Sequence, residues 1–250
     1  MPGRHDAAVS DRTLRWAGIV RDPVHGPLPG LLFLLTAVTG VIDAVSLLTL
    51  GRVFVANITG TIVTLGLALA GTLGIVRETA LVALVTFVLG AYAGGKLISR
   101  FSGHRGRLLA WTTAIELVFV VAAIPAAVPL TVTVAPTLPL RAVVAAAVLA
   151  FGMGVQNAAV RRLKVPDITT TVVTMAITGL AADEHGGGRA TIVRRVVAVL
   201  MLLAGAALGA LLVLRVGPAW ALIVAAVMIA VVLAVAVLTS RTPQDWHAPR

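Results

Sequence analysis

The chain has 250 residues, 59% of them hydrophobic and only 12% charged, with a mean hydropathy of +1.02 and no cysteine. Several apolar runs approach the roughly 20 residues a helix needs to cross a bilayer, which indicates an integral membrane protein and excludes a soluble domain. The missing cysteines remove disulfides, iron–sulfur clusters and thiolate zinc sites, and the net charge of +10 comes in short basic groups beside apolar runs, a topology signal and not a nucleic-acid-binding stripe.

Residues 1–27 are polar and rich in Pro, Gly and Arg, without the apolar core of a signal peptide, and read as a cytoplasmic tail. Segment A follows, from about Leu28 to Leu50. Its Thr36, Thr39, Gly40, Asp43 and Ser46 recur at three- and four-residue spacing and so share one helical face, which puts Asp43 inside the bundle. Segment B, about Val53 to Ala70, begins after only Gly51 and Arg52 and carries Asn57, Thr59, Gly60, Thr61 and Thr64. Segment C, about Thr79 to Ile98, holds Gly90-x-x-x-Gly94, a pattern that permits close helix contact. After a basic loop, segment D runs from about Leu108 to Val128 with Trp111 near its start and Glu116 about eight residues inside it. That position assigns Glu116 an interfacial or structural role. A Pro-rich link, 131–139, closes the first membrane unit, 28–130.

The second unit, 140–240, repeats the first. Segment A′ (140–160) ends in GMGVQNA, B′ (168–182) is threonine-rich, and C′ (196–214) and D′ (219–238) follow; residues 241–250 form a second cytoplasmic tail. A shift of 114 positions carries Gly40 onto Gly154, Asp43 onto Asn157 and Asn57 onto Thr171. A shift of 115 carries Gly90 and Gly94 onto Gly205 and Gly209, and one of 109 carries Trp111 onto Trp220 and Glu116 onto Ala225. Such offsets signal an internal duplication.

Basic residues decide which segments cross. If all eight cross, the two sides receive 11 and 9 Lys/Arg; if B and B′ enter without crossing, the sides receive 16 and 4. The second distribution obeys the positive-inside rule. The expected fold is therefore an all-α polytopic membrane protein of two inverted three-span repeats, each with an additional short re-entrant or broken hydrophobic segment, and with both termini cytoplasmic. Broken backbone at membrane depth needs protein or a polar cavity to cover it.

GVIDAVSLLTLGRVFVANITGTIVTLG together with FGMGVQNAAVRRLKVPDITTTVVTMAITGLAAD resembles the YoaK-like family of bacterial inner-membrane proteins, whose function is unknown. Gly40, Asp43 and Ala44 match its Gly-x-x-Asp-Ala element, Thr59 and Gly60 most of its Thr-Gly-Asn element, and Gly154, Gln156, Asn157, Thr171 and Thr174 those of its second half. Thr61 stands where the family has asparagine. The resemblance covers about residues 30–240 and implies a location in the bacterial cytoplasmic membrane without naming a substrate.

The expected function is a small-solute secondary transporter or channel, proton-coupled through Asp43, with a polar midplane site lined by Asp43, Asn57, Thr59, Gln156, Asn157, Thr171 and Thr174. An ionisable residue inside a span costs roughly 2.5–3.5 kcal/mol on insertion scales, so its presence points to function by default. The half-helix starts of B and B′ would favour an anionic or carbonyl-bearing solute, and Arg52 is a candidate counter-charge for Asp43. The alternative is a non-transporting scaffold or accessory subunit, in which the polar residues only join helices. An enzyme is not expected: the only serines in or at apolar segments, Ser46, Ser99 and Ser240, have no histidine nearby, and no spacing brings Asp43 and Glu116 together. No cofactor or metal is expected. The partners are a small hydrophilic solute and anionic lipids at the cytoplasmic basic loops, not nucleic acid, with room left for an oligomer.

Overall fold

Apolar runs long enough to cross a bilayer become helices because only a helix satisfies its own backbone in hydrocarbon. The computed structural model describes residues 25–241 apart from 73, 102, 133–136, 164–177 and 179–188, so most of segment B′, including Thr171 and Thr174, lies outside the described residues. Among those described, seven helices carry the fold: α1 Leu28–Thr49, α2 Ile58–Leu69, α3 Arg77–Phe101, α4 Arg105–Ala127, α5 Leu140–Leu163, α6 Arg189–Arg215 and α7 Pro218–Ser240. All but α2 are long and apolar enough to span a membrane. The 12 residues of α2 reach only about 18 Å, well short of the roughly 30 Å hydrocarbon core.

The apolar clusters give each span its direction. At one end of the bundle Leu28, Leu32 and Leu35 of α1 pack with Leu108 and Leu109 at the start of α4, Leu163 at the end of α5, Ala198 early in α6 and Ala236 late in α7. At the other end Val45 and Leu50 pack with Ala83 of α3, Ala127 of α4, Ala142 at the start of α5, Val213 late in α6 and Ala221 of α7. Successive spans therefore alternate in direction, and the chain enters α1 and leaves α7 at the same end.

Segment B does not cross. The Val76 amide donates to the Gly51 carbonyl at 3.3 Å, so the stretch between α1 and α3 leaves and returns at one level of the bundle. Left-handed backbone at Gly51 (φ 89°) and Arg52 (φ 58°) makes the turn that sends the chain back inward. Residues 53–57 run without helical structure, and α2 follows, packed on α3 and otherwise largely exposed.

Two glycine-mediated crossings hold the spans together. A methyl at Gly205 of α6 would collide with the Ala37 carbonyl of α1, and one at Gly209 would meet Val41 O at 2.8 Å and the Ala44 side chain at 3.1 Å. In the other crossing, a methyl at Gly90 of α3 would collide with the Phe151 carbonyl of α5, and one at Gly94 would meet Val155 O at 2.9 Å and the Ala158 side chain at 3.0 Å. The partners correspond across the duplication: Ala37, Val41 and Ala44 shifted by 114 are Phe151, Val155 and Ala158. The remaining helix pairs follow suit, since α1 packs on α7 as α5 packs on α4, and α4 packs on α7.

At the entry end Arg105 is buried, donating through Nη2 to the Leu163 carbonyl and lying 3.2 Å through Nη1 from Nδ1 of His25. A guanidinium on the last carbonyl of α5 meets the negative end of that helix. Arg105 is therefore a tie between α4, α5 and the entry of α1.

Candidate functional site

The polar face expected on α1 is buried, but its hydroxyls are already satisfied. Thr36, Thr39 and Thr49 donate to carbonyls one turn back, Leu32, Leu35 and Val45, at 2.8–3.0 Å, and Ser46 to Asp43 O at 3.0 Å. A hydroxyl turned onto its own helix presents an apolar outside. These residues pack; they do not line a site.

Asp43 is different. It lies inside α1 at 8% exposure, and its Oδ1 accepts the amides of Val55 at 3.1 Å and Ala56 at 3.0 Å. Those N–H groups belong to the non-helical stretch leading into α2, where no backbone partner is within reach of the chain's own regular structure. Leaving a buried N–H unsatisfied costs about 1–3 kcal/mol, so the carboxylate offsets a substantial penalty at the break. It also brings that carboxyl oxygen to the backbone just ahead of α2. The break is reinforced by Thr61, whose hydroxyl donates to Phe54 O, and by Gly60, whose missing side chain admits the Phe54 ring; a methyl there would lie 2.5 Å from it.

Asp43 thus occupies, from within the chain, the anion position that the half-helix start was expected to offer a solute. Arg52 is exposed at the turn, and the Asp43 hydrogen bonds go to backbone. Asn57 follows the two bonded amides as the half-buried N-cap of α2, yet its side chain makes no capping bond. Thr59 faces outward and is exposed. Asn157 is half-buried and its Nδ2 donates to Met153 O at 2.8 Å. Gln156 is buried, and neither polar atom of its amide has a hydrogen-bond partner among the described residues. The expected lining is therefore divided: Asp43 and Asn57 stand at the junction of α1 and α2, while Gln156 and Asn157 belong to α5.

Sequence reasoning undervalued Glu116. Because α4 begins at Arg105, three residues before the expected start of D, Glu116 falls halfway along a 23-residue helix and not near an interface. It is fully buried, and both carboxyl oxygens lack partners among the described residues. Thr113, one turn earlier, is equally buried with an unpartnered hydroxyl. The helical spacing of Thr112, Thr113 and Glu116 in an apolar run was the available signal; the alignment of Glu116 with Ala225 concealed it. Across from this face, a methyl at Gly152 of α5 would lie 3.8 Å from the Glu116 Cα, and Gln156 is one turn farther along α5. Among the described residues no group of three or more His, Cys, Asp and Glu could hold a metal ion.

Six apolar spans, a short helix that does not cross and buried polar groups at depth define a polytopic membrane protein. The chain belongs to the family described as "Protein of unknown function (DUF1275)", which it matches over residues 31–235. It is similar to the UPF0700 transmembrane protein YoaK of Bacillus subtilis (strain 168), with 28% identity over 167 residues, 62% of this chain and 67% of that protein. No solved structure matches it significantly.

Proposed function

We propose that this chain is a transport protein of the bacterial cytoplasmic membrane for a small hydrophilic solute, built as two inverted three-span repeats with both termini in the cytoplasm. The observation that carries the reading is the non-helical stretch 53–57 ahead of α2, tied to the buried Asp43 through the amides of Val55 and Ala56. Discontinuous elements in inverted repeats are how many secondary transporters place a solute between backbone ends and polar side chains. The corresponding glycine crossings support the inversion, because alternating span directions set each helix antiparallel to its counterpart 114 or so positions away. Trp111 and Trp220, both exposed, fall near the starts of α4 and α7 and so at opposite ends of the bundle, as interface anchors of inverted units should.

In this reading Asp43 positions the break and Asn57, Gln156 and Asn157 contribute lining, while Thr171 and Thr174 of the expected lining lie outside the described residues. The basic groups at the entry end face the cytoplasm and its anionic lipids. No catalytic role is assigned. The competing reading, a non-transporting scaffold, draws support from one observation: the resolved bonds of Asp43 go to the fold itself.

Thermal unfolding of the purified protein against a panel of candidate solutes decides between them. A true substrate at a hundred times its Kd stabilises the native state by about 2.7 kcal/mol. A broad panel of sugars, amino acids, carboxylates and amines that leaves the unfolding temperature unchanged favours the scaffold. For the topology, Thr72→Cys should be labelled from outside and Gly103→Cys only from the cytoplasm, no native cysteine interfering.

A further inference from the structure

Glu116, Thr113 and Gln156 make a second polar locus that the break at Asp43 does not explain. Thr113 and Glu116 are one helical turn apart on α4, and Gly152 and Gln156 one turn apart on α5. Gly152 meets α4 at Glu116. The two helices run antiparallel, so moving from Gly152 to Gln156 and from Glu116 to Thr113 leads toward the same end of the bundle. Five buried side-chain atoms thereby share one stretch of the α4–α5 interface, all without partners among the described residues: both carboxyl oxygens, the amide oxygen and nitrogen, and the hydroxyl. On the far side of the Gly152 contact the rings of Phe119 and Phe151 close the interface, with centroids 4.7 Å apart.

Alanine or leucine would pack these helices equally well, and helix joining requires polar atoms that pair with each other. A carboxylate beside neutral oxygens in a dry interface instead suits a small cation. Among the described residues of the helices packed on α4, no fixed charge competes for that role. Residues 218–240 of α7 carry no titratable group, α5 has Arg141, Arg161 and Arg162 only near its ends, and on α3 the exposed Arg77, Glu78, Tyr92, Lys96 and Arg100 lie away from the core. On α4 itself Arg105 and Arg107 sit in the first turn, about 14–16 Å along the axis, and Arg105 is engaged by Leu163 and His25.

We propose that Glu116, Gln156 and Thr113 form a binding site for a monovalent cation at mid-membrane, with a proton or an alkali ion neutralising the Glu116 carboxylate. Binding here does not depend on the transport reading. If that reading holds, this site and not Asp43 supplies the coupling ion.

Infrared difference spectroscopy on the full chain in nanodiscs reads the site directly. The parent minus Glu116→Gln should show a protonated carboxyl band that is retained in Asp43→Asn and loses amplitude as pH rises. Replacing choline by sodium or potassium should remove the band at constant pH if an alkali ion is taken, and leave it unchanged if the ligand is the proton alone. Gln156→Leu should move the pH or salt midpoint without abolishing the band, an effect a merely structural Gln156 would not produce. Dicyclohexylcarbodiimide gives a second measurement on the unmutated chain. A protonated Glu116 adds across its C=N bond and rearranges to an N-acylurea, nothing leaving, and above the midpoint the rate should drop about tenfold per pH unit. A Glu116 carboxyl signal that ignores both pH and cation identity, with no pH-dependent adduct at Glu116, overturns the proposal whatever the solute panel shows.

Discussion

The two halves of the molecule share a skeleton but not a charge. Each contributes a helix that crosses the other half through paired glycines, Gly205 and Gly209 against α1 and Gly90 and Gly94 against α5. Yet among the described residues both buried carboxylates, Asp43 and Glu116, belong to the first half, and the second offers Asn157 and Ala225 at the corresponding places. The glycine packing recurs in both halves, and the described buried acids stand in one copy of it. Within that copy the two acids differ again. The Asp43 carboxylate is committed to the amides of Val55 and Ala56, whereas the Glu116 oxygens have no partner among the described residues. Burial alone therefore does not distinguish the two acids; the missing hydrogen-bond partners of Glu116 do.

The largest effects should come from the shared skeleton. Gly90→Leu and Gly205→Leu each drive a side chain into a facing backbone carbonyl that cannot move without its helix, and each should cost more than about 3 kcal/mol. Size-exclusion profiles and thermal unfolding in detergent would show loss of folded protein for both. A severe effect from one and a mild effect from the other would break the equivalence of the halves.

Next comes the committed acid. Asp43→Leu strands two buried amides and should destabilise by about 2–5 kcal/mol, while Asp43→Asn keeps an oxygen acceptor and should lose no more than about 1 kcal/mol. Equal damage from both substitutions would mean that the negative charge, and not the hydrogen bonding, holds the break. The uncommitted acid should behave in the opposite sense. Glu116→Leu removes a buried carboxyl without stranding a partner and should be neutral or stabilising by about 1–2 kcal/mol in the same assay. A loss larger than that of Asp43→Asn would erase the contrast between the two acids. The smallest effect belongs to Thr59→Ala, which should stay within about 0.5 kcal/mol because the side chain is exposed. An appreciable loss of solute-dependent stabilisation in this variant would place Thr59 in the lining despite its exposure.

Much of this architecture is written in local chemistry. Composition and run length specify apolar helices, since hydrocarbon leaves the backbone few alternatives, and the distribution of basic residues marks segment B as one that does not cross, leaving six spans. The glycines foretell close helix contacts, because a missing side chain is a demand for close approach, but the structure decides which helices meet. What the sequence by itself could not determine is where each polar side chain spends its hydrogen bonds. Thr36, Thr39, Ser46 and Thr49 look like a polar lining in one dimension, and only the folded helix turns them onto their own carbonyls. Asp43 reads as an active group until the chain folds back and brings the amides of Val55 and Ala56 to it, 12 and 13 residues away. Glu116 reads as peripheral until the true start of α4 sets its depth and α5 covers it. Periodicity tells which face a residue is on, but satisfaction is a property of pairs, and tertiary packing alone decided those pairs.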